Sequence, residues 1–509
     1  MNDWTSGYVA DIGYTYGYYL ELNPKRVKLA FVNAGLVAPE FGAACELGFG
    51  QGLSANIHAA ASVCSWHGTD FNPAQAGFAQ ELASVSGASA HLYDEAFDAF
   101  ALRDLPDFDY IGLHGIWSWI SDDNRQVIVD FIRKKLKVGG VLYISYNTLP
   151  GWGTFAPMRH LMTEHADVIG ADGAGIVSRI NGALDFTDKL LATKPAFSLA
   201  NPLIDDKIKK IKEQNRHYLA HEYFNRDWHP MHFAEVAKWL EPAKLTYACS
   251  ANYLAHIDAA NLTIEQQTFL KDITDPLFKE TVRDFMINQQ FRKDYWVKGA
   301  RRLTPLEQAE QLRSQRFILS TYRPDIVMKA TGNFEANLDE SIYAPILDAL
   351  TDLKVHSLSQ MEQTLSDKGI NFAKLNQALL VLCGLGHVSA VQDDSTIAKA
   401  KKTTDKLNTH LLMKARSSSE IGYLTSPVTG GGVEVDRFGQ LFLLALQLGK
   451  KKPEEWVTDV WGVLAIQGQR IVKEGKILES PEQNLAELKE KAANFAEKKL
   501  PILKALQIA

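Results

Sequence analysis

The sequence is poor in cysteine, and its cysteines are not paired. Its four cysteines (Cys45, Cys64, Cys249 and Cys383) are scattered over 509 residues, without a C-x-x-C motif. This spacing argues against a zinc site and against a disulfide framework. No apolar run approaches the roughly 20 residues that a helix needs to cross a bilayer. The opening stretch, MNDWTSGYVADIGYTYGYY, lacks the basic and apolar regions of a signal peptide. We therefore expect a cytoplasmic protein with no membrane span.

The chain also lacks an excess of positive charge. Lysine and arginine together number 54 against 60 aspartates and glutamates, which gives a net charge of −6 and a pI near 6.2. No overall basic field is present to attract nucleic acid, so we expect no nucleic-acid partner. Hydrophobic residues make up 46% and charged residues 22% of the chain, as in soluble globular proteins. The length accommodates about three domains.

Between residues 24 and 147, short apolar runs alternate with stretches of helical period. The strand-like runs are AACELGF, CSWHGTDF, SAHLYD, FDYIGLHG and GVLYISYN. Asn23 is predicted to cap a helix that opens at Pro24. Another helix is predicted in NRQVIVDFIRKKLKVGG, whose lysines precede a glycine. Because strands alternate with helices, the pattern predicts an open, doubly wound α/β domain of the Rossmann-like class, with a parallel sheet covered on both faces.

Beyond residue 150 strands become rare and helices dominate. MHFAEVAKWLEPAKLTYACSANYL predicts one more helix and strand, which close the α/β domain near residue 255. The locally basic stretch FRKDYWVKGARR is interpreted as a solvated helix face. We predict four domains: the α/β domain at 1–255, a helical domain at 256–335, a winged-helix-like domain at 336–400 and a mostly helical domain at 401–509.

The stretch CELGFGQGLSAN places three glycines, Gly48, Gly50 and Gly52, shortly after Glu46. A P-loop would need a lysine at its end, and Leu53 stands there instead. A dinucleotide fingerprint would need its third glycine one position later. An acid before the turn suits a ligand with a cationic amine better than a phosphate, which a carboxylate repels.

Two further acids end the next two predicted strands. Asp70 follows Gly48 by 22 residues, the distance at which a carboxylate binds the ribose hydroxyls of an adenosine cofactor. Asp94 ends the following strand and is predicted to accept a hydrogen bond from the adenine amino group. Amine, ribose and adenine together describe S-adenosylmethionine. Two alternatives stay open: NAD binding, and a glycine turn that only packs a helix against a strand.

The fourth and fifth predicted strands end in HGIWSW and SYNTLPGW. Because ligands of open α/β sheets bind outside the carboxyl ends of the strands, both loops are predicted to face the transferred methyl group. The predicted catalytic residues are His114, Trp117, Trp119, Tyr146 and Asn147, with Trp152 beside them. They would form an apolar throat that desolvates an amine and aligns it, while tryptophan faces attract an alkylammonium. Core packing of the tryptophans and a structural role for the histidine stay open.

Three histidines near residue 225 raise the question of a metal site. His229 and His232 are three residues apart, and His221 lies next to Glu222. They fall across a loop and a helix start, where histidines commonly cap and pack, so no metal is predicted.

Taken together, these stretches resemble a known family. CELGFGQG, GTDFNPAQ, FDYIGLHGIWSWIS, VLYISYNTLPGW, YLAHEYF with HFAEVAKWL, and FRKDYW are similar to class I S-adenosylmethionine-dependent methyltransferases that carry a methyltransferase regulatory domain. That group includes protein lysine methyltransferases of rickettsial outer-membrane proteins. The likeness runs from about residue 14 to 300 and continues more faintly from TSPVTGGGVEV to the C-terminus. It departs in the N-terminal arm, where YTYGYYLELNP replaces a proline-punctuated aromatic run ending in Thr-His-Pro.

The resemblance implies S-adenosylmethionine as cofactor and lysine amines of a protein as methyl acceptors. The predicted cofactor residues are Tyr14, Glu46, Gly48, Gly50, Gly52, Asp70, Phe71, Asp94 and His114. The expected partner is a protein substrate, such as an outer-membrane or surface protein, and a homodimer is an option. Two other functions stay open: methylation of a small molecule or glycan, with the accessory domains as a lid, and cofactor binding without catalysis.

Overall fold

The computed structural model describes residues 13–331 and 335–509 of the chain. Its strands, numbered in chain order, are β1 (Ala43–Leu47), β2 (Ser65–Thr69), β3 (Ala90–Tyr93), β4 (Phe108–Leu113), β5 (Leu136–Asn147), β6 (Leu245–Ser250), β7 (Phe291–Lys298), β8 (Arg316–Leu319), β9 (Lys329–Thr331), β10 (Glu335–Asn337), β11 (His356–Ser357), β12 (Val388–Ala390), β13 (Tyr423–Ser426), β14 (Gly431–Glu434), β15 (Val472–Lys473) and β16 (Lys476–Ile477). The helices are α1 (Pro24–Asn33), α2 (Leu53–Ala61), α3 (Pro73–Ser86), α4 (Phe97–Ala101), α5 (Asp122–Lys135), α6 (Ala156–Val168), α7 (Gly175–Ala192), α8 (Ala196–Ala200), α9 (Ile204–Lys212), α10 (Arg216–Tyr223), α11 (Phe233–Leu240), α12 (Ile264–Lys271), α13 (Pro276–Ile287), α14 (Pro305–Arg313), α15 (Glu340–Ala349), α16 (Leu358–Thr364), α17 (Phe372–Gly384), α18 (Asp394–Lys414), α19 (Arg437–Gln447), α20 (Pro453–Ile466), α21 (Pro481–Asn494) and α22 (Leu500–Ala505).

A seven-stranded sheet with the order β3-β2-β1-β4-β5-β7-β6 forms the centre of the α/β part. The strands from β3 to β5 are parallel, and β7 runs antiparallel to both β5 and β6. Neighbouring residues of one strand enter different cores: Tyr110 packs on one face of the sheet and Ile111 on the other. Both faces are therefore covered, as in a doubly wound fold, and the predicted fold class is confirmed.

Helix α1 begins where the sequence predicts it. The Asn23 side chain accepts a hydrogen bond from the Lys25 N–H at 2.8 Å, and Pro24 occupies the first helical position. An N-cap of this kind satisfies one of the unpaired N–H groups of the first turn. Asn23 also donates a hydrogen bond to the Thr429 carbonyl at 3.1 Å, so the start of α1 is fixed against the C-terminal part of the chain.

The predicted end of the α/β domain near residue 255 needs correction. Strand β7 lies beyond that point, and it pairs with β5 on one side and with β6 on the other. The stretch FRKDYWVKGARR is therefore a strand inside the sheet, and its interpretation as a solvated helix face is wrong. Its charged residues suggest exposure, but Arg292 and Asp294 are buried and form an ion pair, with 2.8 Å between Arg292 Nε and Asp294 Oδ2.

The remaining chain packs against this sheet. Helices α6, α7, α9 and α10 share a core of their own. Helices α15 to α17 accompany the three-stranded antiparallel sheet β11-β8-β12, whose central strand β8 comes from outside the predicted 336–400 range. The C-terminal helices bury Leu53 and Ile57 of α2 in their core, so they rest on the α/β part. Within the described ranges, no helix is long and apolar enough to cross a membrane.

Candidate cofactor and acceptor site

A cavity of about 270 Å³ opens at the carboxyl ends of β1, β2 and β4. Its wall comes from six segments, around positions 14–19, 48–51, 70–75, 95–98, 114–124 and 221–227. Ligands of open α/β sheets bind at this edge, so the cavity is the candidate functional site.

The glycine loop forms the floor of the cavity, and its three glycines differ in their steric surroundings. All three have positive φ: +71° at Gly48, +58° at Gly50 and +66° at Gly52. A Cβ atom at Gly48 would lie 2.3 Å from Ile116 Cδ1, and one at Gly52 would lie 2.4 Å from the Ala79 Cβ. At Gly50 the nearest atom is a Tyr14 ring carbon at 3.8 Å. Gly48 and Gly52 therefore allow close packing, whereas a side chain at Gly50 would make an ordinary van der Waals contact with the Tyr14 ring. Of the three, Gly52 does not line the cavity, because it caps α2.

Glu46 lies beneath this loop and outside the cavity wall. It is 1% exposed, and its Oε2 has no hydrogen-bond donor within the described part of the chain. Burial, with a smaller contribution from Asp70, raises the pKa of Glu46 to about 8. A buried carboxyl oxygen without a donor is costly, and this oxygen fits a ligand amine close to the loop.

Asp70 and Phe71 both line the cavity, as predicted from the end of β2. The Asp70 carboxylate accepts hydrogen bonds from the N–H groups of Gly50 at 2.8 Å and Asn72 at 3.0 Å. Burial raises its pKa to about 6, although both hydrogen bonds act in the opposite direction. The two bonds fix the carboxylate beside the loop, where it can accept hydrogen bonds from a ribose.

Asp94 is not brought to the cavity. Strand β3 ends at Tyr93, and the Asp94 side chain is exposed. The next residues, from Glu95 to Asp98, line the wall instead. The Glu95 carboxylate is held by two hydrogen bonds from Arg103, each 2.6 Å long. The prediction for Asp94 is therefore wrong by one position: Glu95 lines the wall, because neighbouring side chains in an extended segment point to opposite sides.

His114 lines the cavity but is held as a neutral ring. Its Nδ1 lies 2.7 Å from the Tyr143 hydroxyl, and its ring stacks on Tyr19 with 3.6 Å between centroids. Burial lowers its pKa to about 3. This geometry favours the structural alternative over a general base. Trp119 also lines the cavity, and its Nε1 donates to the Glu222 carbonyl at 3.2 Å.

Three other predicted catalytic residues lie in the core. Trp117 is fully buried and packs edge-on against Trp239. The Tyr146 hydroxyl donates to the Asp294 carboxylate at 2.8 Å, and the Asn147 N–H donates to the Ser118 hydroxyl at 2.8 Å. None of the three lines the cavity, because the end of β5 is covered by these contacts. Trp152 likewise packs against Phe155, Tyr223 and Trp228. The expected throat from β5 does not form.

In place of the expected throat from β5, the N-terminal arm and the end of α10 form this side of the cavity. Tyr14, Tyr19, His221 and Glu222 line this side of the cavity. The Tyr14 hydroxyl donates to Glu222 Oε1 at 3.1 Å, and burial raises the pKa of Glu222 to about 7. The sequence does not identify Glu222 as a site residue, although it stands in the stretch YLAHEYF. No local pattern connects it with a tyrosine 208 positions earlier.

The two other histidines of this region lie outside the cavity. His229 is 3.7 Å from Asp227, and His232 caps α11. Over residues 13–331 and 335–509, no group of three or more His, Cys, Asp or Glu side chains is arranged to hold a metal ion.

The charge of the wall has one sign. Its acidic residues are Asp70, Glu95, Asp98, Glu222 and Asp227, and no lysine or arginine lines it among the described residues. Its aromatic rings are Tyr14, Tyr19, Phe49, Phe71, Phe97 and Trp119. Carboxylates and ring faces both attract cations, and a pyrophosphate would meet these carboxylates with no lysine or arginine among the described wall residues to compensate it. The cavity therefore suits a cationic ligand better than NAD.

Comparison with known proteins identifies related chains. A family model described as a predicted methyltransferase regulatory domain matches residues 215–298, from the start of α10 to the end of β7. The uncharacterized protein sll1526 of Synechocystis is 41% identical over 512 residues, covering 99% of this chain and 100% of that protein. The uncharacterized protein RP789 of Rickettsia prowazekii is 26% identical over 285 residues, covering 54% of this chain and 49% of that protein.

Among solved structures, PKMT2 from Rickettsia typhi in complex with AdoHcy is similar over nearly the whole molecule. The TM-score is 0.73 at 17% sequence identity, and the match covers 97% of this chain and 100% of that chain. At this identity the likeness is one of fold, and it includes the accessory helices.

Proposed function

Because the chain belongs to the same family as the Synechocystis protein, and is a class I S-adenosylmethionine-dependent methyltransferase with a methyltransferase regulatory domain, we propose that it methylates lysine amines of a protein substrate. The cofactor supplies a sulfonium methyl group when bound. The chain's own residues bind the adenosine and the amine, align them and exclude water.

The charge of the cavity wall carries this proposal. A lysine side chain arrives as a cation and its methylated products stay cationic, so an acidic, aromatic wall without lysine or arginine among its described residues attracts both. The cofactor is cationic at its sulfur as well. The accessory helices support a polypeptide acceptor, because the likeness to the Rickettsia typhi protein covers 97% of this chain rather than the α/β part alone.

The acceptor class is tested by tritium transfer from labelled S-adenosylmethionine. The full-length protein is incubated with poly-L-lysine, and in parallel with a whole bacterial extract. We expect label in protease-sensitive material that yields methyllysine on acid hydrolysis. Label found only in protease-resistant, low-molecular-weight material would contradict the proposal and would indicate a small-molecule or glycan acceptor.

The cofactor assignment predicts a large effect of Asp70→Ala on binding. Removing a charge-assisted hydrogen bond should weaken S-adenosylhomocysteine binding by about 1.5–3 kcal/mol, roughly 10- to 150-fold in Kd, measured by calorimetry. Asp94→Ala is the matched control, because that carboxylate is exposed and outside the cavity wall, and its Kd should equal that of the wild type. An unchanged Kd for Asp70→Ala would remove this residue from the cofactor site.

A further inference from the structure

Glu222 is fixed in the cavity wall from two sides. It lies in the last turn of α10, whose end faces the cavity. Its Oε1 accepts the Tyr14 hydroxyl hydrogen bond at 3.1 Å, and its carbonyl oxygen accepts the Trp119 Nε1–H at 3.2 Å. The carboxylate therefore has a defined position, which a catalytic group requires.

Tyr14 connects this carboxylate with the glycine loop. Its ring lies 3.8 Å from the place of a Cβ atom at Gly50, and its carbonyl oxygen accepts a hydrogen bond from Gln51 Nε2 at 3.3 Å. The ring thus stands over the loop while its hydroxyl contacts Glu222. The Tyr14 side chain therefore bridges the carboxylate and the floor of the cofactor cavity.

The described side chains around Glu222 are mostly tyrosines. Among the described residues, the titratable groups that face it are Tyr14 and Tyr19 from the N-terminal arm, Tyr218 and Tyr223 from α10, and the adjacent His221. No lysine or arginine of the described ranges forms an ion pair with it. Asp227, by contrast, pairs with Arg226 at 3.0 Å. A cation that enters the cavity therefore meets Glu222 as an available counter-charge.

We propose that Glu222 binds the ammonium group of the methyl acceptor and removes its proton, with Tyr14 positioning the carboxylate. This inference rests on the proposed function. The ammonium proton passes to the carboxylate, and the nitrogen lone pair forms the N–CH3 bond. The S–CH3 bond breaks at the same time, and its electron pair stays on sulfur as a thioether. The methylated amine carries the positive charge, and the proton on Glu222 leaves to water.

The step needs a base, because a free lysine with a pKa near 10.4 is almost fully protonated at pH 7. An ordinary glutamate, with a pKa near 4.3, is a weak base for this purpose. Burial raises the pKa of Glu222 to about 7, close to the value that suits a general base at neutral pH.

Glu222→Gln tests the proposal, with Glu213→Gln as the matched control. Glu213 is exposed and outside the cavity wall, and both changes remove one negative charge. Single-turnover methylation of poly-L-lysine by the full-length wild type should rise with pH through about 7. In Glu222→Gln the rate of methylation should no longer rise with pH through about 7, and at pH 7 it should be about 100-fold lower, the usual scale of general-base catalysis. Its Kd for S-adenosylhomocysteine and the profile of Glu213→Gln should match the wild type. A Glu222→Gln protein whose methylation rate keeps the wild-type pH dependence overturns the proposal.

Two further measurements separate the possible failures. In Tyr14→Phe the hydroxyl that stabilises the carboxylate is lost, so the pKa of Glu222 rises and the rise of the rate with pH should move to higher pH. An unchanged pH dependence contradicts the role of Tyr14.

Binding of n-butylammonium to the protein saturated with S-adenosylhomocysteine should weaken at least 10-fold in Glu222→Gln, and equal binding contradicts the ammonium site. If this binding depends on Glu222 but no polypeptide is methylated, the lysine acceptor fails and the cation site stands.

Discussion

A fragment that ends at residue 255 is expected not to fold, although it contains six of the seven strands of the sheet. The missing strand, β7, lies between β5 and β6, so β6 loses its hydrogen-bonded neighbour in the sheet. The fragment also loses the buried side chains of Tyr295 and Trp296, which pack on opposite faces of the sheet. Truncating one large core side chain costs about 3–5 kcal/mol, and a domain has only about 5–15 kcal/mol of stability.

Circular dichroism, gel filtration and calorimetry with S-adenosylhomocysteine check this expectation on the fragment and on the full chain. Co-expression of residues 256–509 is the control, because it returns β7 without restoring the peptide bond. We expect the pair to be recovered as a complex that binds the ligand. A fragment that unfolds cooperatively and binds the ligand without its complement would contradict the result.

Local pattern was enough to predict the first five strands. Each is a short apolar run next to a helical stretch, and the cap at Asn23 is set by residues close in sequence. The glycine loop and Asp70 were found for a related reason: carboxyl ends of neighbouring parallel strands meet at one edge. Their presence in one cavity follows from the strand order.

The incorrect predictions have three different causes. The sequence of strand β7 is polar because Arg292 is buried together with Asp294 of the same strand and Asp284 of α13. Hydrophobic periodicity does not show that charged residues are buried as ion pairs. Glu222 is brought to the cavity by tertiary folding, because its hydrogen-bond partner Tyr14 is 208 positions away in the sequence. The shift from Asp94 to Glu95 reflects the exact end of β3, which apolar runs define only to within a residue or two.

Replacing Arg292 by methionine is expected to destabilise the protein by about 3–5 kcal/mol at neutral pH, the cost of breaking a buried ion pair. Arg292 is 6% exposed and contacts Asp284 at 2.6 Å, Asp294 at 2.8 Å and Glu280 at 2.9 Å. Its guanidinium also lies 4.3 Å from the ring centre of Phe233. Without it, the two buried aspartates, on the strand and helix that complete the sheet, lose their counter-ion and must either carry an uncompensated charge or bind a proton.

The loss should depend on pH in a definite direction. Burial raises the pKa of Asp284 to about 7 even beside Arg292, which acts to lower it. A pKa higher in the folded than in the unfolded state means that the folded protein binds more protons, so stability falls as pH rises through that value. In Arg292→Met the pKa of both aspartates rises further. Urea unfolding should therefore show a larger loss at pH 8 than at pH 5.5, where the aspartates can take up protons. Arg301→Met, at an exposed position three residues after β7, is the control and should match the wild type at both pH values. A loss below about 1 kcal/mol, or one that does not change with pH, would show that the aspartates do not depend on Arg292 for compensation.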